Sequence, residues 1–242
     1  MKRVLVSWSS GKDSAWALHL LRQDSSVHVA ALLTTFNEAV DRVAMHAVRR
    51  TLVEAQADAA SLPLWSVPIP SPCPNDIYEA RMRDAMGRAR AEGFTHVAFG
   101  DLFLEDVRRY REERLAGSGL DPIFPVWGIP TDRLAREMLA GGVDAVLTCV
   151  DPRHLDPAFA GRRFDHALLD ALPPSVDPCG ERGEFHTFCC AGPMFERAIP
   201  VQTGEIVTRD GFVFADVMPA ASDRGASATS ARRPGSSGGG RT

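Results

Sequence analysis

The chain has 242 residues, a formal net charge of −4, 45% apolar side chains and five cysteines without a framework spacing. That length suits one large domain or two small ones with a sizeable core. No apolar run reaches the roughly 20 residues of a membrane span, the N-terminal residues lack a signal-peptide pattern, and the odd cysteine set points to reduced thiols; a cytoplasmic protein is expected.

The charge is unevenly placed. Residues from Ala220 onward carry +3, which leaves −7 on the rest. A body that acidic binds phosphate backbones poorly, so no nucleic-acid partner is expected. Of 27 basic residues only Lys2 and Lys12 are lysine. Where arginine replaces lysine so freely, Lys12 marks a place that needs a compact ammonium.

In chain order, Arg3–Trp8 reads as a strand, Ser14–Arg22 as a helix and His28–Thr34 as a second strand. Asp41–Ser61 has helical periodicity, Leu64–Val67 is a short strand, Ile77–Ala91 a helix and His96–Gly100 a strand. This alternation predicts a mostly parallel, doubly wound α/β sheet covered on both faces. Ligands of such sheets sit at the carboxyl ends of the strands, which selects the loops 9–14, 34–40 (opening at Thr34) and 100–105. After Asp101 the chain changes character. Glu105–Arg114 is a charge run with opposite signs at i,i+4 spacing, read as a solvated helix face. Thr131–Ala140 reads as a helix and Val143–Val150 as a buried strand; after Pro178 a loop leads to short strands at 198–201, 205–208 and 212–217. The Ser/Gly/Arg-rich end is expected to be a disordered tail over 220–242.

Ser9-Ser10-Gly11-Lys12-Asp13-Ser14 lies between the first strand and the first helix. Small residues let amide N–H groups converge on an anion, and the helix that follows adds its positive dipole end. Lys12 supplies charge, Ser9 and Ser14 hydroxyls, and Asp13 a ligand for Mg²⁺ or a helix cap. Spacing excludes the Walker A loop, since Val6 stands where glycine is required and Asp13 follows the lysine.

The same loop resembles the S-G-G-x-D-S signature of the PP-loop (N-type) ATP pyrophosphatases, with Ser10 where that family usually has glycine. A serine is tolerated there if φ is negative and strained if φ is positive. Phe99-Gly100-Asp101-Leu102 with Glu105 and Arg109, then Cys179-Gly180-Glu181-Arg182-Gly183-Glu184-Phe185-His186-Thr187-Phe188, resemble further signatures of the diphthine–ammonia ligase (diphthamide synthase) family. Gly192-Pro193-Met194-Phe195 continues the match.

The resemblance implies an adenine nucleotide alpha hydrolase-like domain over 1–100 and a smaller α+β substrate domain over 101–219. It implies that ATP with Mg²⁺ adenylates a carboxylate, releasing pyrophosphate, and that ammonia displaces AMP. Lys12, Asp13, Glu181, Glu184 and His186 are its catalytic candidates. Ser9–Ser14, Thr34, His46, Gly100 and Asp101 are candidates for the nucleotide; Glu105, Arg109, Glu181 and Glu184 are candidates for the acceptor. Glu181, Glu184 and His186 are also open to structural roles, the two acids in a turn and the histidine in packing, and His46, read on a helix, is equally open to one. The acceptor is either a carboxylate-bearing small molecule or a modified protein side chain. The family's usual target, a modified histidine of elongation factor two, is absent from bacteria, and the Arg- and Ala-rich composition resembles that of a GC-rich bacterium. Two other readings stand beside this one: a nucleotide-binding sensor without turnover, and a tRNA-modifying PP-loop enzyme, which the acidic body and the lack of a C-x-x-C pair disfavour. A homodimer is compatible with the sequence but not indicated by it.

Overall fold

Val4, Leu5 and Val6 are fully buried in β1 (Lys2–Ser7), the continuous apolar run of a strand covered on both faces. The structure, a computed structural model, describes residues 1–43 and 46–220; the expected tail beyond residue 220 lies outside them. α1 (Lys12–Gln23) leads from β1 to β2 (Val27–Asn37), which pairs in parallel with β1 on one side and with β4 (Leu64–Ile69) on the other. β5 (His96–Ala98) pairs in parallel with β1, and β6 (Asp121–Ile123) with β5. The two-residue β3 (Arg42–Val43) runs antiparallel to the end of β2.

Helices cover both faces. α1, α2 (Arg50–Ala59) and α5 (Thr131–Ala140) belong to one apolar cluster with Val4 and Val6. α3 (Asn75–Ala91) and α4 (Glu105–Leu115) close the other face over Leu5, Leu33, Val97 and Phe99. Among the described residues no helix is long and apolar enough to cross a membrane.

After α5 the chain builds a second, antiparallel sheet in the order β8 (Phe185–Ala191), β7 (Asp144–Val150), β10 (Phe212–Pro219), β9 (Val201–Arg209). α6 (His166–Ala171) and a 3₁₀ turn at Pro157–Phe159 accompany it. β8 is an edge strand. Its exposed backbone groups are covered by the loop that opens α1, where Cys189 N–H donates to the Ser10 carbonyl at 2.9 Å.

Two local expectations change. Asp41–Ser61 is not one helix: Asp41 and Ala47 have φ of +52° and +54°, and regular helix starts only at Arg50. Asp216 of β10 draws Arg42 (2.8 Å) and Arg49 (2.5 Å) to itself, so a partner remote in sequence holds this segment out of helix. His46 consequently sits in a turn ahead of α2; residues 44–45 lie outside the described ones. Of the strands expected at 198–201 and 205–208, residues 198–200 lie outside any strand, and Val201–Arg209 is one continuous β9 paired with β10.

Candidate active site

The phosphate-loop candidate is strained at Ser10, which carries φ +68°. A non-glycine residue in this region costs of order 1–3 kcal/mol and persists only where its surroundings hold it. Here the Ser10 carbonyl accepts from Cys189 N–H and from the Gln56 side-chain amide, both at 2.9 Å. Gln56 is fully buried; it also donates to the Cys189 carbonyl (2.7 Å) and accepts from the Trp8 indole N–H (2.9 Å). Gln56 escapes a motif-based reading. Its signal is a polar residue one turn after Leu52, on the core-facing stripe of an amphipathic helix.

Lys12 opens α1 and is 1% exposed. Its Nζ donates to Asp13 Oδ2 at 3.1 Å and to the Cys179 carbonyl at 2.5 Å, using two of three donors. The rings of Phe164 and Phe185 lie 5.2 and 5.3 Å from it. Burial alone lowers its pKa, but Asp13, the Cys179 thiol and Glu181 outweigh that and hold the ammonium above its ordinary range. Asp13 is pushed up by burial against the opposing pull of Lys12. Its Oδ1 is buried without a hydrogen-bond partner among the described residues. Ser9 and Ser14 join hydroxyls at 3.1 Å.

The segment 177–187 is built around two buried acids. Glu184 accepts from the N–H groups of Asp177 and Arg182, both at 2.9 Å, and Asp177 accepts from Cys179 N–H (2.9 Å) and from the Thr131 hydroxyl (2.6 Å). Gly180 has φ +72°, and a Cβ there would meet the Phe185 carbonyl at 2.7 Å. This turn aims the Cys179 carbonyl at Lys12 and leaves Glu181 on the cavity wall. Burial raises the Glu181 carboxyl to about 7, helped by Asp13 and Asp101 and opposed by the Leu102 N–H that donates to it at 2.7 Å.

His46 and His186 stack with ring centroids 4.5 Å apart and 33° between planes. Burial lowers His186 to about 4 and His46 to about 3; His186 and Lys12 add to the effect on His46. Both rings are therefore neutral at pH 7. Gly100 is needed for a close approach, because a Cβ there would lie 2.9 Å from the Ser14 nitrogen at the start of α1.

These elements enclose one cavity of about 440 Å³, within the usual range for small-molecule and cofactor sites. Ser9, Lys12, Asp13, Ser14, His46, Gly100, Asp101, Glu181 and His186 line it together. Ser10, Gly11, Thr34 and Glu184 stand behind the wall, Thr34 donating its hydroxyl to the Trp8 carbonyl at 2.8 Å. Glu105 and Arg109 are exposed on α4 and away from the wall. Arg111, two residues on and so on the opposite side of the helix, is the α4 side chain that lines it, 3.4 Å from Asp101. Thr187 is a further wall residue, its hydroxyl accepting from the Lys12 N–H at 3.1 Å. Among the described residues no three His, Cys, Asp or Glu side chains converge as a metal site.

Residues 1–120 match the diphthamide synthase N-terminal domain family, and residues 130–218 match the diphthamide synthase C-terminal domain family. The chain belongs to the diphthamide synthase family. It is similar to the diphthine–ammonia ligases of Bos taurus and Homo sapiens, each 26% identical over 89% of this chain and 88% of theirs. That of Danio rerio is 27% identical, over 89% of this chain and 92% of its own. As a diphthamide synthase family member the protein is an ATP-dependent ligase. The two family matches leave residues 121–129 between them, a stretch that contains β6 and ends just before α5.

Proposed function

We propose that the protein adenylates a small carboxylic acid and converts it to an amide with ammonia, with residues 1–100 serving the nucleotide and residues 101–219 the acceptor and the amidation. One observation carries this reading: the Lys12 ammonium and the Glu181 carboxyl share one cavity, the first kept charged and the second raised to about 7.

In the first step a carboxylate oxygen bonds to the α-phosphorus as the α–β bond breaks and pyrophosphate leaves with the electron pair. Lys12, with one donor uncommitted among the described residues, and the amides at the start of α1 stabilise charge on the departing group. Asp13, whose buried Oδ1 has no partner among the described residues, would suit a hard cation such as Mg²⁺. Mg²⁺ held there supplies neutralisation of phosphate charge.

In the second step the ammonia nitrogen bonds to the acyl carbon, the bond to AMP breaks with its electron pair on AMP, and the surplus N–H proton passes to Glu181. A carboxyl with a pKa near working pH suits that transfer. The neutral His46–His186 pair adds no cation to repel ammonium, and Asp13, Asp101 and Glu181 give this end of the cavity an acidic character. The cysteines are all free thiols, which supports a reducing, cytoplasmic setting.

The test is incubation with Mg²⁺, ATP, ammonium and a panel of carboxylic acids, with the nucleotide products resolved. AMP and pyrophosphate are expected, and both are lost in Lys12→Ala. ADP and phosphate would sink the reading, and tight nucleotide binding without any turnover would make the protein a sensor.

A further inference from the structure

A second chamber of about 140 Å³ opens off the main cavity between α3 and α4. The two share Ser7, Leu33, Tyr78, Met82, Phe99 and Arg111. Beyond that mouth the inner surface is apolar, with Met86, Val97 and Leu115 buried against it. Of the charged groups that line it, Arg83, Glu113 and Arg114 are exposed and stand with Glu79 at the outer edge. Arg114 and Glu79 neutralise each other at 2.8 Å, joining α4 to α3, and neither lines the main cavity. At the mouth the one shared cation is Arg111, lying over the Phe99 ring at 5.0 Å and only loosely paired with Asp101 at 3.4 Å.

We infer that this chamber is the acceptor subsite, and that the acceptor is a compact carboxylic acid with an apolar body of about one ring. The inference rests on the ligase reading above. Its size follows from volume: an apolar cavity of about 150 Å³ in a protein core accepts a benzene-sized guest. Its polarity follows from placement. An apolar body lying against Met86 and Leu115 brings an attached carboxylate to Arg111, at the mouth shared with the main cavity. The chamber lies on the α3/α4 face of the sheet, whereas α1 and the phosphate loop pack on the other. Acceptor and nucleotide thus approach from opposite faces and meet above the ends of β1 and β5, where the carboxylate must reach the α-phosphorus.

The experiment uses the full chain and ligand-observed NMR with phenylacetate as probe and succinate as an anionic control lacking the apolar body. Phenylacetate is expected to bind at least tenfold more tightly than succinate. Met86→Trp, which fills the chamber, and Arg111→Gln, which removes the mouth cation, should each weaken phenylacetate binding at least tenfold. ATP affinity unchanged in Met86→Trp shows that this variant is folded. Equal binding of the two acids, phenylacetate binding unaffected by either variant, or competitive displacement of phenylacetate by AMP overturns the inference; the last assigns the chamber to the nucleotide. AMP formation, measured in parallel, separates the two readings. If succinate is amidated while phenylacetate neither binds nor reacts, the ligase stands and the subsite falls. If phenylacetate binds as described but no acid yields AMP, the chamber stands as a carboxylate-binding site, and the ligase falls together with the acceptor role.

Discussion

The backbone N–H of Lys12 donates to the side-chain hydroxyl of Thr187 across 175 residues of sequence, at 3.1 Å. Gly11, the N-cap of α1, has no side chain to satisfy that donor, so β8 supplies the cap from the second sheet. Thr187→Val keeps the shape and removes the acceptor. We expect a loss of about 1–2 kcal/mol in unfolding free energy, the usual cost of a lost helix cap or an orphaned buried donor. ATP affinity should also fall about tenfold, because the loop that carries Lys12 loses its hold on β8. Thr187→Ser should restore both. Denaturant titration and nucleotide binding on the three proteins decide it; full ATP affinity in Thr187→Val would show that the contact is structural only.

Ser10 combines a φ of +68° with a buried hydroxyl that has no partner among the described residues. Ser10→Gly removes both costs and adds the greater chain entropy of glycine, about 0.5–1 kcal/mol in the other direction. A net stabilisation of about 1 kcal/mol is expected, given 1–3 kcal/mol for the strain. Ser10→Ala separates the contributions, since it removes the hydroxyl and retains the strain. If alanine stabilises as much as glycine, the strain at Ser10 does not exceed the entropy cost of glycine, about 0.5–1 kcal/mol.

The parallel sheet is legible in sequence because strands such as β1 and β2, buried on both faces, write continuous apolar runs. The phosphate loop is legible because small residues beside a lone lysine serve little else. The parts that are not legible depend on partners distant in the chain. Asp216 holds Arg42 and Arg49 out of a helix whose periodicity looks intact locally. Phe185–Ala191 reads as loop because His186, Thr187 and the adjacent Cys189-Cys190 obscure any strand alternation; pairing with β7 and cover from the phosphate loop make it a strand. On α4 the charge run hides the cation that faces the main cavity. Arg109 matches the family motif and is exposed, whereas Arg111 gives no sign in sequence that Asp101 and Phe99 await it.

The stacked pair His46–His186 should make the fold acid-sensitive. Both folded pKa values, about 3 and about 4, lie below the ordinary value of 6.5. The stability they contribute is therefore present above pH 6.5 and lost as pH falls from 6.5 towards 4, up to about 2 kcal/mol for each ring at pH 5. Glu181 works in the opposite sense. Its folded pKa of about 7 exceeds its usual 4.5, so its contribution is greatest at low pH and is lost as pH rises from 4.5 through 7. The wild type should thus lose less stability between pH 7 and pH 5 than the histidines alone dictate. Glu181→Gln should enlarge that loss, and the double variant His46→Asn, His186→Asn should abolish or reverse it. Urea midpoints at the two pH values read this directly, and an unchanged slope in the double variant excludes the pair as its source.

Glu181 also gives the proposed reaction its pH signature. As the acceptor of the surplus ammonia proton it must be ionised, so at a fixed concentration of free ammonia the rate of amide formation should rise through about pH 7 and level off above it. Glu181→Gln keeps the size and the acceptor for Leu102 N–H but cannot take the proton. Removing a general base typically costs about 10²–10⁴-fold, and here the loss should fall on amidation and erase the rise near pH 7. Adenylation, read as acid-dependent exchange of labelled pyrophosphate into ATP, should stay within several-fold of wild type, because Glu181 has no part in the departure of pyrophosphate. If exchange and amidation fall together, Glu181 positions Lys12 through the Cys179 turn and is not the base. If the variant keeps the same pH rise, the group titrating near pH 7 lies elsewhere in the cavity.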